Sequence, residues 1–274
     1  MLSAKLIALM LSFRALFLGC CPPADRQALP GYQLERYARM PRELRESSGL
    51  AHAGGGAFWT LVDGGGEAAL FKIASNGQLL ERLPLPLHNQ DWESLTRSPD
   101  GTLYIGDFGN NLNQRRNLRI FKVDPLSQQI DTISFYWADQ QAFPPSKKGM
   151  NYDCEAFFWY QGRLHLFTKA RGDKRVQHYS LPDTAGSYAA QPLESAYVND
   201  LVTGADISPD GRTLALLTYG KVYLFAVQGP EHMLQQPISC LRLPWTGQAE
   251  AILFLSNSSL LVGNELGRMH YLQL

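Results

Sequence analysis

From Ser48 onward the chain alternates short apolar runs with turn chemistry, and no apolar stretch repeats at helical spacing for long enough to compete. The runs fall into groups of four. Residues 49–52, 57–62, 69–73 and 79–83 form the first group, and 94–96, 103–106, 118–123 and 133–137 form the second. The third and fourth groups carry 163–167 and 213–217 as their second strands. Each group opens on one small motif: Ser48-Gly49-Leu50, Glu93-Ser94-Leu95, Glu155-Ala156-Phe157, Thr203-Gly204-Ala205 and Glu250-Ala251-Ile252. A repeat of this period is the signature of blades that cannot cover their own faces and must stack on neighbours around an axis.

Turn residues set the register. Ser98-Pro99-Asp100-Gly101 and Ser208-Pro209-Asp210-Gly211 are the same tetrapeptide between first and second strands, with Pro presetting φ and Gly accepting positive φ. Aligning them places Thr203, not Asp206, opposite Glu93. The starts then fall at 48, 93, 155, 203 and 250, at intervals of 45, 62, 48 and 47 residues. The long interval contains an insertion, residues 139–149, which has no strand pattern. Only 24 residues follow Glu250, enough for three strands, so residues 32–37 are expected to supply the fourth. The predicted fold is all-β, a five-bladed β-propeller closed by the N-terminal strand pairing into the last blade. A six-bladed ring, with a weak extra blade inside the 62-residue interval, is the alternative.

Composition changes the picture mainly by exclusion. Lys and Arg number 25, as do Asp and Glu, so there is no basic field to neutralise a phosphate backbone and nucleic acid is not an expected partner. No CxxC, HExxH or Gly-x-Ser-x-Gly pattern occurs. Cys154 opens an inner strand and Cys240 falls in an outer strand of another blade, too far apart to bridge. The first twenty residues differ from the rest: Lys5 precedes the apolar run 6–11, and Ala15-Leu16-Phe17-Leu18-Gly19 leads into Cys20. This reads as a secretory signal of the lipoprotein type with Cys20 as the lipidated residue, although Arg14 and Phe17 depart from that pattern. The expected organisation is a signal at 1–20, a linker at 21–31 and one propeller domain at 32–274. The expected location is the bacterial cell envelope, either lipid-anchored to the membrane or periplasmic, with the membrane touched only through the anchor.

The starts SGL, DWESL, DCEAF, VTGADISPDG and QAEAI, with LYIGDFGNN after the second, resemble the bacterial propellers of the SdiA-regulated group and the neighbouring esterase-like phytase group. The resemblance extends over nearly the whole mature chain. It implies an extracytoplasmic propeller and carries no defined reaction.

Propeller geometry turns the repeat into a map of one mouth. Strand one of each blade starts there and strand two ends there. The first set of mouth residues is Ser48, Glu93, Glu155, Thr203 and Glu250; the second includes Asp63, Asp107, Asn110, Lys169, Arg171, Tyr219 and Glu265. Three glutamates at one tier require a cation, an intruding basic side chain, or a retained proton. Oxygen donors suit Ca²⁺ or Mg²⁺, with Glu93, Glu155 and Glu250 as expected ligands. Ser48, Thr203, Asp107, Asn110, Lys169 and Arg171 are expected to face a small or polymeric ligand, and the mouth's basic residues suit an anionic one. Asp91 and Asp153 add an acid two residues before Glu93 and Glu155. Alternatively, these polar groups bond the backbone of adjacent inner strands. The functional expectation is a ligand-binding propeller; a metal-dependent hydrolase of phosphoesters or lactones and an envelope scaffold are the alternatives, and the sequence leaves open whether the chain is an enzyme.

Overall fold

A computed structural model describes residues 31–274; the expected signal, Cys20 and all but the last residue of the expected linker lie outside the described residues. The described residues form twenty strands. The first is β1 (Gln33–Arg39). Then come β2 (Ser47–Gly54), β3 (Ala57–Val62), β4 (Ala69–Ile73) and β5 (Leu79–Pro84). The next group is β6 (Trp92–Arg97), β7 (Leu103–Asp107), β8 (Leu118–Val123) and β9 (Ile130–Trp137). It is followed by β10 (Cys154–Tyr160), β11 (Arg163–Thr168), β12 (Arg175–Pro182) and β13 (Gly186–Tyr197). The last groups are β14 (Val202–Ile207), β15 (Thr213–Thr218), β16 (Lys221–Ala226) and β17 (Gln236–Arg242), then β18 (Ala249–Ser256), β19 (Ser259–Asn264) and β20 (Arg268–Gln273).

Within each group successive strands pair antiparallel, and β1 adds to the edge of β20, Gln33 opposite Gln273. The repeated turn behaves as its chemistry predicts. Asp100 accepts the Ser98 hydroxyl at 2.5 Å and the Thr102 N–H at 3.2 Å, while Asp210 accepts Ser208 at 2.6 Å and the Arg212 N–H at 3.0 Å. Gly101 and Gly211 take the positive φ, 102° and 71°. Residues 139–149 contain no strand, only a short 3₁₀ turn at Lys147–Gly149.

One feature has no counterpart in the pattern of apolar positions. The outer strands β9 and β13 pair parallel, Ile133 with Gly186 through Trp137 with Ala190, so two antiparallel groups become one eight-stranded sheet. The other groups remain four-stranded sheets.

The innermost strands neighbour one another in cyclic order: β2 with β6, β6 with β10, β10 with β14, β14 with β18, and β18 with β2. Apolar clusters fill the wedges between successive groups. Trp59, Leu61 and Leu70 meet Trp92, Leu103 and Ile105 in one of them. In the next, Phe108 packs edge-on to Phe157 at 5.2 Å between ring centroids. Each cluster draws on two groups, so no group of strands owns a core. Near the axis the inner strands carry small residues, because backbones meet there. A Cβ on Gly49 would lie 2.5 Å from the Leu95 nitrogen.

Candidate functional site

Every inner strand carries a register shift near its start. The skipped residues are Glu93 between Trp92 and Ser94, Glu155 between Cys154 and Ala156, Thr203 between Val202 and Gly204, and Glu250 between Ala249 and Ala251. A bulged residue leaves the ladder and its side chain is re-aimed, which is how four of the repeat-start residues reach one tier. In β2 the skipped residue is Gly49, so Ser48 stands one position before the others.

The two hydroxyls tie inner strands together. The Thr203 hydroxyl donates to the Ala249 carbonyl at 2.7 Å, and the Ser48 hydroxyl donates to the Glu93 carbonyl, each on the next inner strand of the ring. Asp107 and Asn110 are buried and fully engaged. Asp107 meets Arg115 at 3.0 Å and Arg119 at 2.8 Å and accepts the Asp91 N–H at 3.1 Å. The Asn110 side chain accepts the Gln114 and Arg115 N–H groups at 2.8 and 2.9 Å and donates to the Tyr152 carbonyl at 3.2 Å, shaping the glycine-rich loop.

The three glutamates have three different environments. Glu155 is paired with the Lys169 ammonium and lies 3.5 Å from the Arg171 guanidinium, which also grips Asp153. Burial works against the charge on Lys169, but Glu155, Tyr219 and Glu250 together outweigh it and hold the amine well above its usual range. Lys169 also donates to the Tyr219 hydroxyl at 3.3 Å, and Tyr219 donates to Glu250 Oε1 at 2.9 Å. Glu250 in turn is hydrogen-bonded to Glu265, and burial followed by this carboxyl neighbour pushes Glu250 up to about 7. Burial likewise pushes Glu265 up to about 7, so the two acids share a proton through the lower part of the neutral range.

Glu93 is the exception. It is 5 % exposed. Its carboxylate has no hydrogen bond or ion pair among the described residues. Oxygens of Asp63, Asp91 and Glu93 lie within 4.8 Å of one another. Burial and then Glu155 and Asp63 raise Glu93 well above the usual carboxylate range; burial and then Glu250 push Asp63 up to about 8. Arg115 approaches this cluster only to 4.0 Å of Asp91. Gly109 lies against it, and a Cβ there would run into Glu93 Oε1 and Asp91 Oδ2. The structure therefore brings Glu93 together with Asp63 and Asp91, and leaves Glu155 and Glu250 with protein partners.

The other end of the channel is more apolar, with His52, Arg97 and Asp206 among its polar residues. A cavity of about 330 Å³ lies where the inner strands finish, lined by Leu50, Leu95, Phe157, Ile252 and the repeated Ser-Pro turns. Sequence reasoning also missed a buried polar chain across β11, β12 and β13: His165 Nδ1 to His178 Nε2 at 3.0 Å, and His178 Nδ1 to Glu194 Oε1 at 3.2 Å. The signal was present as polar residues at inward positions of otherwise apolar strands.

Antiparallel four-strand groups arranged around an axis, with cores between groups and a charged tier where the inner strands begin, define a β-propeller fold. No family model matches the chain, and no curated protein matches it. Among solved structures, the PQQ-bound aldose sugar dehydrogenase of Streptomyces coelicolor superposes with a TM-score of 0.55 at 11% identity, over 93% of this chain and 99% of that one. A catalytically inactive virginiamycin B lyase of Staphylococcus aureus gives 0.46 at 10% identity over 89% and 100% of the two chains. The Dos1 propeller gives 0.42 at 11% identity over 82% and 54%. At 11% identity the likeness to the first of these is one of fold alone.

Proposed function

We propose that this chain is an extracytoplasmic five-bladed propeller that binds its ligand at the polar end of the channel through a divalent cation held by Asp63, Asp91 and Glu93. The blade number comes from reading the eight-stranded sheet as two blades joined at their outer edges. The observation that carries the site is Glu93: a buried carboxylate with no protein partner, facing two more carboxylates. Oxygen-only donors without His or Cys suit a hard ion, Ca²⁺ or Mg²⁺. Gly109 lets the Glu93 and Asp91 carboxylates come together where a side chain would otherwise stand. Three carboxylates leave coordination positions open, and a phosphate or carboxylate of an anionic ligand would fill them. In this reading Glu155 and Glu250 shape the mouth without ligating, since Lys169 and Tyr219 already engage them.

Calorimetry with Ca²⁺ and with Mg²⁺ tests the proposal. One ion should bind per chain, with affinity lowered at least about tenfold in Glu93→Gln and in Asp63→Asn. Absence of both heat and thermal shift with either ion overturns it. Anchoring through Cys20 belongs to the same proposal and is checked separately: fatty-acid label should enter the wild-type chain and fail to enter Cys20→Ser.

A further inference from the structure

The apolar end of the channel carries its own chemistry. The cavity of about 330 Å³ is at the small end of the range for small-molecule pockets, and Leu50, Leu95, Phe157, Trp159 and Ile252 contribute its apolar wall. One carboxylate stands in that wall. Asp206, at the far end of β14, accepts the Phe254 N–H at 2.7 Å through Oδ2 and makes no ion pair among the described residues. Burial pushes its carboxyl up to about 7. Arg97 and His52 also line the cavity, but neither forms an ion pair with Asp206, and His52 Nε2 is engaged at 2.8 Å by the Phe254 carbonyl. Asp206 is only partly buried, and it lines the cavity. Thr96, the residue at the same offset in β6, performs the backbone task without a charge: its hydroxyl accepts the Trp159 N–H at 3.1 Å. The bond to the next inner strand therefore does not require a carboxylate.

We infer that the cavity at the ends of the inner strands is a second binding site, for a small ligand with an apolar body and a cationic amine that pairs with Asp206. The apolar wall supplies burial and Asp206 supplies orientation, the usual division of labour in a small-molecule pocket. This site is independent of the acidic cluster at the opposite end.

The probe pair is 4-phenylbutylamine and its neutral counterpart 4-phenylbutan-1-ol, titrated into the full chain with calorimetry as the readout. The amine is expected to bind at least about tenfold more tightly than the alcohol, as a charge-assisted bond to a carboxylate would give. Asp206→Asn should abolish that preference while leaving alcohol binding unchanged, and Asp63→Asn should leave both probes unaffected. Equal binding of the two probes to the wild-type chain, or no binding of the amine, overturns the inference even if the Asp206 variant fails to fold. An amine preference that survives in folded Asp206→Asn overturns it as well.

Discussion

Glu155 and Glu93 occupy the same bulged position in neighbouring groups of strands, and their surroundings are opposite. Glu155 is neutralised within the protein by Lys169 and Arg171. Glu93 faces Asp63 and Asp91 and has no basic partner. Lys169 stands at the end of the second strand beside Glu155, whereas the loop beside Glu93 offers Gly109. Farther round the ring, the Glu250 and Glu265 pair resolves its repulsion with a proton. The three ways of tolerating a buried acid are thus distributed around one ring, and only the Glu93 sector leaves a valence for something from outside.

The harshest way to break this contrast is to remove the internal base. Lys169→Met should cost about 3 kcal/mol or more in denaturant unfolding, because it strands Glu155 in a buried site. The double variant Lys169→Met with Glu155→Gln should recover much of the loss.

A gentler test applies one substitution to both sectors. Glu155→Gln should destabilise by about 2 kcal/mol, since Lys169 loses its carboxylate. Glu93→Gln should be neutral or stabilising in chelator, since it removes an uncompensated charge, and should abolish the stabilisation added by Ca²⁺. Equal losses at the two positions would erase the distinction.

The acids without bases also fix a pH dependence. Asp63 is raised to about 8, and Glu250 and Glu265 to about 7, above ordinary values of 3.8 and 4.5. The folded chain therefore holds more protons than the unfolded chain between about pH 4 and about pH 8, and its stability falls as pH rises through that window. Thermal melts in chelator should show Tm decreasing from about pH 5 to about pH 8, with a shallower decline in Asp63→Asn. Saturating Ca²⁺ should oppose the decline.

The smallest effect is expected at the hydroxyls. Thr203→Val should cost about 1 kcal/mol through the lost bond to the Ala249 carbonyl and leave ion binding unchanged. A change in affinity there would move the site away from Glu93.

Much of the architecture was legible in the chain because apolar runs, turn tetrapeptides and the short final group are local features. Thr203 opposite Glu93 followed from the Ser-Pro-Asp-Gly turns, and both residues sit at the bulge of their strands. Ser48 came out one residue early, because a bulge shifts pairing without altering the apolar pattern. The site was harder to read. Asp107 and Lys169 look alike as charged residues in mouth loops, and only the fold reveals that Arg115 and Arg119 consume one and Glu155 the other. Asp63 was visible as a mouth residue, but its closeness to Glu93 depends on how two separate groups of strands abut.

The parallel joint between β9 and β13 has a consequence for how the molecule comes apart. An outermost strand of a propeller normally has one free edge and peels first. Here the two outer strands shield each other, so the amides that face across 133–137 and 186–190 should be late to exchange with solvent. The weakest seam of the ring is then elsewhere, at outer strands such as β5 and β17 that no parallel partner covers.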